Sequence, residues 1–356
     1  MTQPITHPGK HAHHAVREPV EVRIDRDRAA APATPPSNAP FFIVGAHRAG
    51  TTLLRYMLAS SPRIYIPPES DFIPRYFLRR PHTPITVDQA QSIIDALFGE
   101  FRYRMVPREW QGAKPEVRAL LGGAGAATPR AFLEAFYNAY ASQYGAARWA
   151  DKSPGYACYM DLLGAIFPEA KFVHIIRDGR DAAMSMAEKW GPHEWHVDLY
   201  WSSVQWVRRV RAARASGARL GPNRYFELRY EQLVAEPDPL LRDICAFLDE
   251  PYHPAMARPQ ELAQQTIEAS NGFHSRIREA PNTQRIARWR REMSPFDLHL
   301  TQRIAGPLLA ELGFDLAPMP RLSPLDRLRF ERLRAKYLLT SSGMACMQKL
   351  GLHPPN

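Results

Sequence analysis

The stretch 41-FFIVGAHRAGTTLLRYMLASS-61 joins a short apolar run, a loop framed by two glycines and an apolar-periodic segment. The run 41–44 predicts a buried strand, and the segment 51–60 predicts a helix. A strand, a Gly-x-x-x-x-Gly loop and a helix form the layout of a phosphate-binding loop, in which backbone N–H groups face an anion. We therefore expect an anion to bind at residues 46–52, which we call the cradle.

The cradle lacks the lysine that follows the second glycine in nucleotide-hydrolysing P-loops. Thr51 and Thr52 follow Gly50 instead, and the cation inside the loop is Arg48. The threonines add hydroxyl donors, and the arginine adds a planar, forked cation. The sequence also shows no clear acidic strand end of the kind that binds Mg²⁺, which argues against a Mg-ATP enzyme.

Further along, short apolar runs alternate with helical patterns. We predict strands at 41–44, 63–66, 147–150, 171–176 and 224–230. We predict helices near 51–60, 86–98, 129–144, 156–167, 180–190, 196–216, 238–249 and 295–312. Strands separated by helices favour an α/β fold, a P-loop-type parallel sheet covered by helices on both faces. Ligands of such sheets bind beyond the carboxyl ends of the strands.

Composition predicts the organisation around this sheet. Residues 1–39 are rich in Pro, Ala, His and charge, which predicts a disordered arm. Residues 40–315 form the main domain, and 83–145 is longer than a plain crossover needs. We interpret 83–145 as a helical insertion that covers the site of a second substrate, here called the acceptor site. Residues 316–356 form a basic helical extension.

Charge and cysteine content limit the classes of function. The net charge is +10, and half of the excess lies in residues 321–356, so we expect no nucleic-acid-binding face. No run reaches the roughly 18 apolar residues of a membrane span, and no secretory signal is evident. Three scattered cysteines give neither a disulfide framework nor a zinc spacing, which favours the cytoplasm.

A second strand-to-helix junction carries basic residues, 171-KFVHIIRDGRDAAMSMAEKW-190. Arg177 ends a strand of buried character, and Ser185 follows about two helical turns later. Together they predict a second anion site. The alternative is that these residues cap the helix, an interpretation that suits Asp178 and Asp181 better than Arg177.

In this order, GAHRAGTTLL (45–54) and VHIIRDGRDAAMSM (173–186) resemble the two nucleotide motifs of sulfotransferases that use 3′-phosphoadenosine 5′-phosphosulfate. PPESDFIPRYF (67–77) and WADKSP (149–154) resemble pieces of bacterial and protein-tyrosine sulfotransferases. The resemblance continues at 229–252 and 288–314, and so covers roughly 41–315. It implies that the chain uses this nucleotide as co-substrate, with no metal.

The resemblance also implies residue roles. The positions that match the 5′-phosphosulfate motif are Arg48, Ala49, Gly50, Thr51 and Thr52. The positions that match those around the 3′-phosphate and the nucleotide are Arg177, Ser185, Tyr230, Arg288 and Trp289. Ala287 stands where many relatives have glycine.

Steroid and phenol sulfotransferases of the cytosol carry lysine at the position of Arg48 and use a histidine base. The resemblance here is to the branch that uses a glutamate, which implies Glu69 as the base that takes the acceptor proton. Lys152 and Arg48 are the catalytic cations that offset charge on the leaving phosphate. Without the resemblance, we would interpret Glu69 as a surface carboxylate paired with an arginine. For Lys152, an ion pair with Asp151 would then be as good an interpretation as catalysis.

Two other functions stay open beside sulfuryl transfer. One is a P-loop kinase acting on a small molecule, and the other is a nucleotide-binding protein without catalysis. For a sulfotransferase, the protein-tyrosine resemblance favours a phenol or a tyrosyl peptide as acceptor, with other hydroxyl compounds open. The oligomeric state cannot be read from the sequence.

The tail predicts a basic helix, 324-PLDRLRFERLRAKYLL-339. Such a helix can lie on an anionic membrane or dock on the protein's own core. At the helical period, Phe330 falls on a different side from Leu325, so the apolar stripe is ragged. We favour docking over membrane contact.

Overall fold

A computed structural model describes residues 37–99, 126–266 and 275–349. Its centre is a five-stranded parallel sheet in the order β2-β5-β1-β6-β7. The strands are β1 (Phe41–Gly45), β2 (Ile64–Tyr65), β5 (Arg148–Lys152), β6 (Lys171–Ile176) and β7 (Tyr225–Arg229). The predicted parallel α/β sheet is therefore confirmed.

Helices cover both faces of the sheet. They are α1 (Thr51–Ala59), α2 (Ile73–Phe77), α3 (Val87–Gly99), α4 (Pro129–Gln143), α5 (Met160–Ile166), α6 (Gly179–Trp190), α7 (Leu199–Leu220), α8 (Tyr230–Ala235), α9 (Pro237–Leu248), α10 (Pro259–Thr266), α11 (Trp289–Glu292), α12 (Pro295–Glu311) and α13 (Pro324–Lys349). Short 3₁₀ turns lie at Pro154–Cys158, Pro254–Ala257, Ser275–Arg278 and Thr283–Arg285. None of the described helices is long and apolar enough to cross a membrane.

The central strand distributes its side chains between two cores. Phe42 and Val44 pack into one apolar cluster with α4 and α5, whereas Phe41 and Ile43 pack into another with α1 and α9. All four are completely buried. Successive side chains of a strand point to opposite faces, so a run that is apolar at every position must be covered on both. This explains why FFIV forms the middle of the sheet.

The topology places the predicted junctions together. β1 lies between β5 and β6, with Phe41 opposite both Ala150 and Lys171. All three strands are parallel, so the loops that follow them leave the same edge of the sheet. The cradle, the segment after Lys152 and the junction at Arg177 therefore share one end of the molecule.

Part of the predicted insertion 83–145 belongs to the main core. α4 contributes the buried Phe132, Phe136 and Tyr137 to the cluster that contains Phe42. A two-stranded antiparallel pair, β3 (Ile85–Thr86) with β4 (Ala126–Ala127), frames the segment and was not predicted. Residues 100–125 lie outside the described ranges, and so do residues 1–36 of the predicted disordered arm. The prediction that 83–145 covers an acceptor site stays a prediction.

The C-terminal helix α13 contacts the main domain with one side. Phe330, Leu333 and Tyr337 are half-buried and pack against a cluster that contains Tyr200 of α7. The rings of Phe330 and Tyr337 both lie 5.6 Å from the Tyr200 ring. Lys336 adds an ion pair with Asp198 at 2.8 Å. The exposed residues of α13 include four large apolar ones, Leu325, Leu328, Leu338 and Leu339.

Deleting residues 321–356 is expected to lower the free energy of unfolding by about 1–3 kcal/mol, because half-buried aromatic contacts contribute less than fully buried ones. Thermal unfolding measures this loss. Tyr337→Ala should reproduce much of it, and the exposed Leu339→Ala should not. A truncated protein that keeps its melting temperature but no longer sediments with anionic vesicles would instead favour the membrane-bound placement.

Candidate active site

The cradle begins where β1 ends and uses two residues in the left-handed region. Arg48 has φ 64° and Gly50 has φ 101°. A Cβ atom on Gly50 would lie 2.5 Å from Cδ2 of Tyr230, so the ring closes against the glycine backbone. α1 starts at Thr51, directly after this turn. The turn thus sets the N–H groups at the start of α1 at the mouth of the cradle, as an anion site requires.

The structure joins the cradle to the second junction through side chains. Arg48 Nε donates a hydrogen bond to Ser185 Oγ at 3.2 Å. Arg177 Nη1 donates to the carbonyl oxygen of Arg48 at 3.3 Å. Residues that are more than 120 positions apart in the sequence therefore lie in contact. Asp178 does cap α6, because its carboxylate accepts from the Arg180 N–H at 2.9 Å.

Arg177 is buried, with 4% of its surface exposed. Its guanidinium stacks over the Tyr230 ring at 4.8 Å and lies 3.6 Å from Asp181 Oδ2. Nη2 donates to the carbonyl oxygen of Arg285 at 2.7 Å, whereas Nε has no hydrogen-bond partner among the described residues. A buried N–H without an acceptor is costly, which fits a group that meets an anion.

We expect Arg177→Ala to weaken binding of adenosine 3′,5′-bisphosphate by about tenfold or more, the scale of a charge-assisted hydrogen bond. Titration calorimetry measures the dissociation constant. Arg224→Ala is a suitable control, because within the described ranges Arg224 donates to the carbonyls of Ala170 and Phe167. An unchanged dissociation constant in Arg177→Ala would show that Arg177 has a structural role and does not bind the nucleotide.

The loop that contains Arg288 and Trp289 packs beside the second junction. The Trp289 backbone N–H donates to Asp181 Oδ1 at 2.8 Å, and the guanidinium of Arg180 lies 3.6 Å from the Trp289 ring centroid. Arg288 is paired with Glu188 and Glu292, so its guanidinium here meets carboxylates. Ala287 has φ 53°, a left-handed conformation that favours glycine.

Glu69 and Lys152 form an ion pair at the cradle. Lys152 ends β5, is 2% exposed, and donates from Nζ to Glu69 Oε1. Its Nζ also lies 3.4 Å from Thr52 Oγ1. Burial lowers the pKa of Lys152, and the Glu69 carboxylate opposes that shift. The side chain of Glu69 is 38% exposed, so the carboxylate lies at the boundary between the buried lysine and open space.

Asp151 accepts hydrogen bonds from hydroxyl groups and is not the ion-pair partner of Lys152 among the described residues. Its carboxylate accepts hydrogen bonds from the hydroxyls of Ser70, Tyr137 and Ser153. Ser153 Oγ in turn accepts from the backbone N–H groups of Ser70 and Asp71, both at 3.2 Å. This buried network fastens the loop that carries Glu69 to the strand that carries Lys152. Asp151 thereby fixes where the ion pair forms.

His47 was not predicted as a site residue, although it lies between Gly45 and Gly50. Its ring contacts the Trp190 ring edge-to-face at 5.3 Å. Burial, the nearby Arg209 charge and two further cations lower the pKa of His47 to about 3, with only Glu69 opposing them. His47 is therefore a neutral imidazole at physiological pH. Its position inside the Gly-x-x-x-x-Gly loop is the sequence signal that could have identified it.

The lowered pKa of His47 has a consequence for stability. Between about pH 3 and pH 6.5 the unfolded chain binds a proton at this residue that the folded chain does not, so folding becomes less favourable as pH falls through that window. We expect the melting temperature of His47→Gln to fall less than that of the wild type when the pH is lowered from 7.5 to 5. Equal losses in the two proteins would show that His47 does not carry this dependence.

Known proteins resemble this chain over most of its length. Protein-tyrosine sulfotransferase 1 of Danio rerio is 23% identical over 289 residues, which are 77% of this chain and 72% of that protein. The Drosophila melanogaster protein-tyrosine sulfotransferase is 24% identical, and the match covers 80% of this chain and 52% of the relative. An uncharacterised Aquifex aeolicus protein is 25% identical, but this chain spans only 31% of it.

Solved structures share the fold. The sulfotransferase domain of the Synechococcus PCC 7002 olefin synthase superposes with a TM-score of 0.55 at 23% identity, covering 81% of this chain and all of that domain. The sulfotransferase domain of the curacin pathway gives 0.51 at 20% identity, covering 79% of this chain and all of that domain. The model of the Sulfotransferase family matches residues 40–254, more than half of the sequence, and this chain therefore belongs to that family.

Proposed function

We propose that the protein transfers the sulfuryl group of 3′-phosphoadenosine 5′-phosphosulfate to a hydroxyl group of an acceptor. The observation that carries the proposal is that the cradle contacts both the buried Arg177 and the Glu69–Lys152 ion pair. Family membership supports the same reaction class. A binding protein would need the two anion sites but not the ion pair beside them.

The residues present suit a nucleotide with phosphates at both ends of its ribose. The turn at Gly50 places the N–H groups at the start of α1 in the cradle, which suits the 5′-phosphosulfate, held also by Arg48, Thr51 and Thr52. Arg177 supplies a buried guanidinium with an unpaired Nε for the 3′-phosphate. We also assign Ser185, Tyr230, Arg288 and Trp289 to this part of the nucleotide. In support, Arg177 stacks on the Tyr230 ring, and the Trp289 N–H donates to Asp181 beside Arg177.

When bound, the nucleotide supplies a sulfuryl group whose sulfur leaves the phosphate oxygen as it bonds to the acceptor oxygen. Glu69 takes the proton from the acceptor hydroxyl, for which its half-open carboxylate is placed. Lys152 reaches toward Thr52 and offsets the negative charge that grows on the phosphate oxygen, and Arg48 acts with it. Such transfers depend mainly on positioning and charge.

The acceptor is a phenol, a tyrosyl peptide or another alcohol. Relatives named as protein-tyrosine sulfotransferases support the first two. The site contains the features that a metal-free reaction requires, because arginines, Lys152 and backbone N–H groups provide the positive charge.

Incubation with the ³⁵S-labelled nucleotide and a panel of hydroxyl compounds, with and without a chelator, tests the proposal. We expect labelled sulfate esters in both conditions. Magnesium-dependent turnover of ATP, without any labelled ester, would favour the P-loop kinase instead.

A further inference from the structure

A buried arginine on α7 has no anionic partner in the described part of the chain. Arg209 is 6% exposed, and its Nη1 donates to Gln205 Oε1 at 2.8 Å. Its Nε has no hydrogen-bond partner, and none of the described carboxylates forms an ion pair with it. Leaving a cation buried and unpaired opposes folding. The packing of the described residues therefore does not explain why this arginine is buried.

Arg209 lies beside the loops that surround Glu69. α7 packs across the 3₁₀ turn Pro154–Cys158, which follows directly after Lys152 and Ser153. The charge of Arg209 is the strongest electrostatic influence lowering the pKa of His47 in the cradle. Burial lowers the pKa of Arg209 itself, and the Asp71 carboxylate, two residues after Glu69, is among the groups that oppose this. The guanidinium is thus close to the cradle loop and to the loop that carries the base.

The same face of α7 is polar where it is buried. Ser202, Gln205 and Arg209 recur at intervals of three and four residues, so they lie on one side of the helix. Ser202 is completely buried, and its hydroxyl has no hydrogen-bond partner among the described residues. Polar groups without a partner on one buried face need an explanation that the packing of the described residues does not give.

Resting on the proposed function, we propose that Arg209 binds an anionic group of the acceptor, so that the acceptor is a hydroxyl compound that also carries a carboxylate. The phosphates of the nucleotide already have Arg48, Arg177 and Lys152, so the further buried cation on α7 is left for the acceptor. A guanidinium pairs well with the two oxygens of a carboxylate because its N–H groups form a planar fork. Arg209 therefore contributes to acceptor specificity, and Glu69 takes the proton of the acceptor hydroxyl.

Stability separates this role from a structural one. Because the unpaired cation opposes folding, Arg209→Met is expected to raise the melting temperature. Arg224→Met is the matched comparison and is expected to lower it, because Arg224 donates to two backbone carbonyls. A loss of melting temperature in Arg209→Met as large as that in Arg224→Met would overturn the inference.

Binding of a matched pair of probes tests the ligand class directly. The probes are 4-hydroxyphenylacetate and 4-methylphenol, titrated into the protein saturated with adenosine 3′,5′-bisphosphate and followed by NMR line broadening. We expect the carboxylate probe to bind about tenfold more tightly, the scale of a charge-assisted contact. Arg209→Gln should abolish the difference, and Arg208→Gln, which changes an exposed neighbour, should preserve it.

Equal binding of the two probes to the wild type, or a difference that persists in Arg209→Gln, would overturn the proposal. So would a weaker bisphosphate affinity in Arg209→Gln, because the anion at Arg209 would then belong to the nucleotide. If the protein fails to bind the bisphosphate at all, the proposed function fails. The same probe pair titrated into the free protein still decides the role of Arg209.

Discussion

Changing Glu69 to glutamine is expected to lower kcat by ~10²-fold or more, the usual scale for loss of a general base. The amide keeps the size of the side chain, and its oxygen can still accept the hydrogen bond from Lys152 Nζ. It cannot take the proton of the acceptor hydroxyl. The affinity for adenosine 3′,5′-bisphosphate should stay nearly unchanged, because Glu69 holds no part of the nucleotide.

Steady-state transfer of ³⁵S and calorimetric titration of the bisphosphate measure the two quantities separately. Glu311→Gln is the matched control, since it neutralises a carboxylate that is ion-paired with Arg214 outside the site. Full activity of Glu69→Gln across a panel of acceptors would place the base elsewhere.

Changing Lys152 to methionine should lower kcat by ~10²–10³-fold, the loss found when one preorganised group that stabilises transition-state charge is removed. Methionine fills similar space in the buried position at the end of β5. It leaves no cation beside Thr52 to offset charge on the leaving phosphate oxygen. The effect should appear mainly in kcat, since the charge grows only during the reaction.

Lys171→Met provides the comparison for this variant. Lys171 begins β6 and pairs with Asp249 at 2.5 Å, so its loss changes a partly buried lysine in the same sheet without touching the cradle. The control should lose stability and keep its kcat. A Lys152→Met enzyme that turns over as fast as the control would assign the charge compensation to Arg48 alone.

The sheet was predictable because strand patterns are local. FFIV and KFVHII are apolar at nearly every position, which requires cover on both faces, and both strands lie in the middle of the sheet. The helix of the tail also follows from a local pattern, and its Phe330 packs on the domain whereas Leu325, at a different helical phase, is exposed. The preference for docking over membrane contact stays a prediction. The β3–β4 pair was missed because each of its strands has only two residues and carries no period.

The arrangement of the site was only partly predictable. The motifs named Arg48, Arg177 and Ser185 as candidates, but the hydrogen bonds that join them were not predicted. The role of Asp151 was not predicted either, because its three hydroxyl donors come from three segments and no pattern in one sequence joins them. Arg209 is equally hidden: a lone arginine in a helix gives no sign that it will be buried without a counterion.

Binding of adenosine 3′,5′-bisphosphate tests the central claim that the cradle and Arg177 form one nucleotide site. Titration calorimetry in the presence of a chelator should show one molecule bound per chain. Arg177→Ala should weaken that binding by about tenfold or more, whereas Glu69→Gln should not. Tight binding of Mg-ATP together with no measurable binding of the bisphosphate would contradict the account.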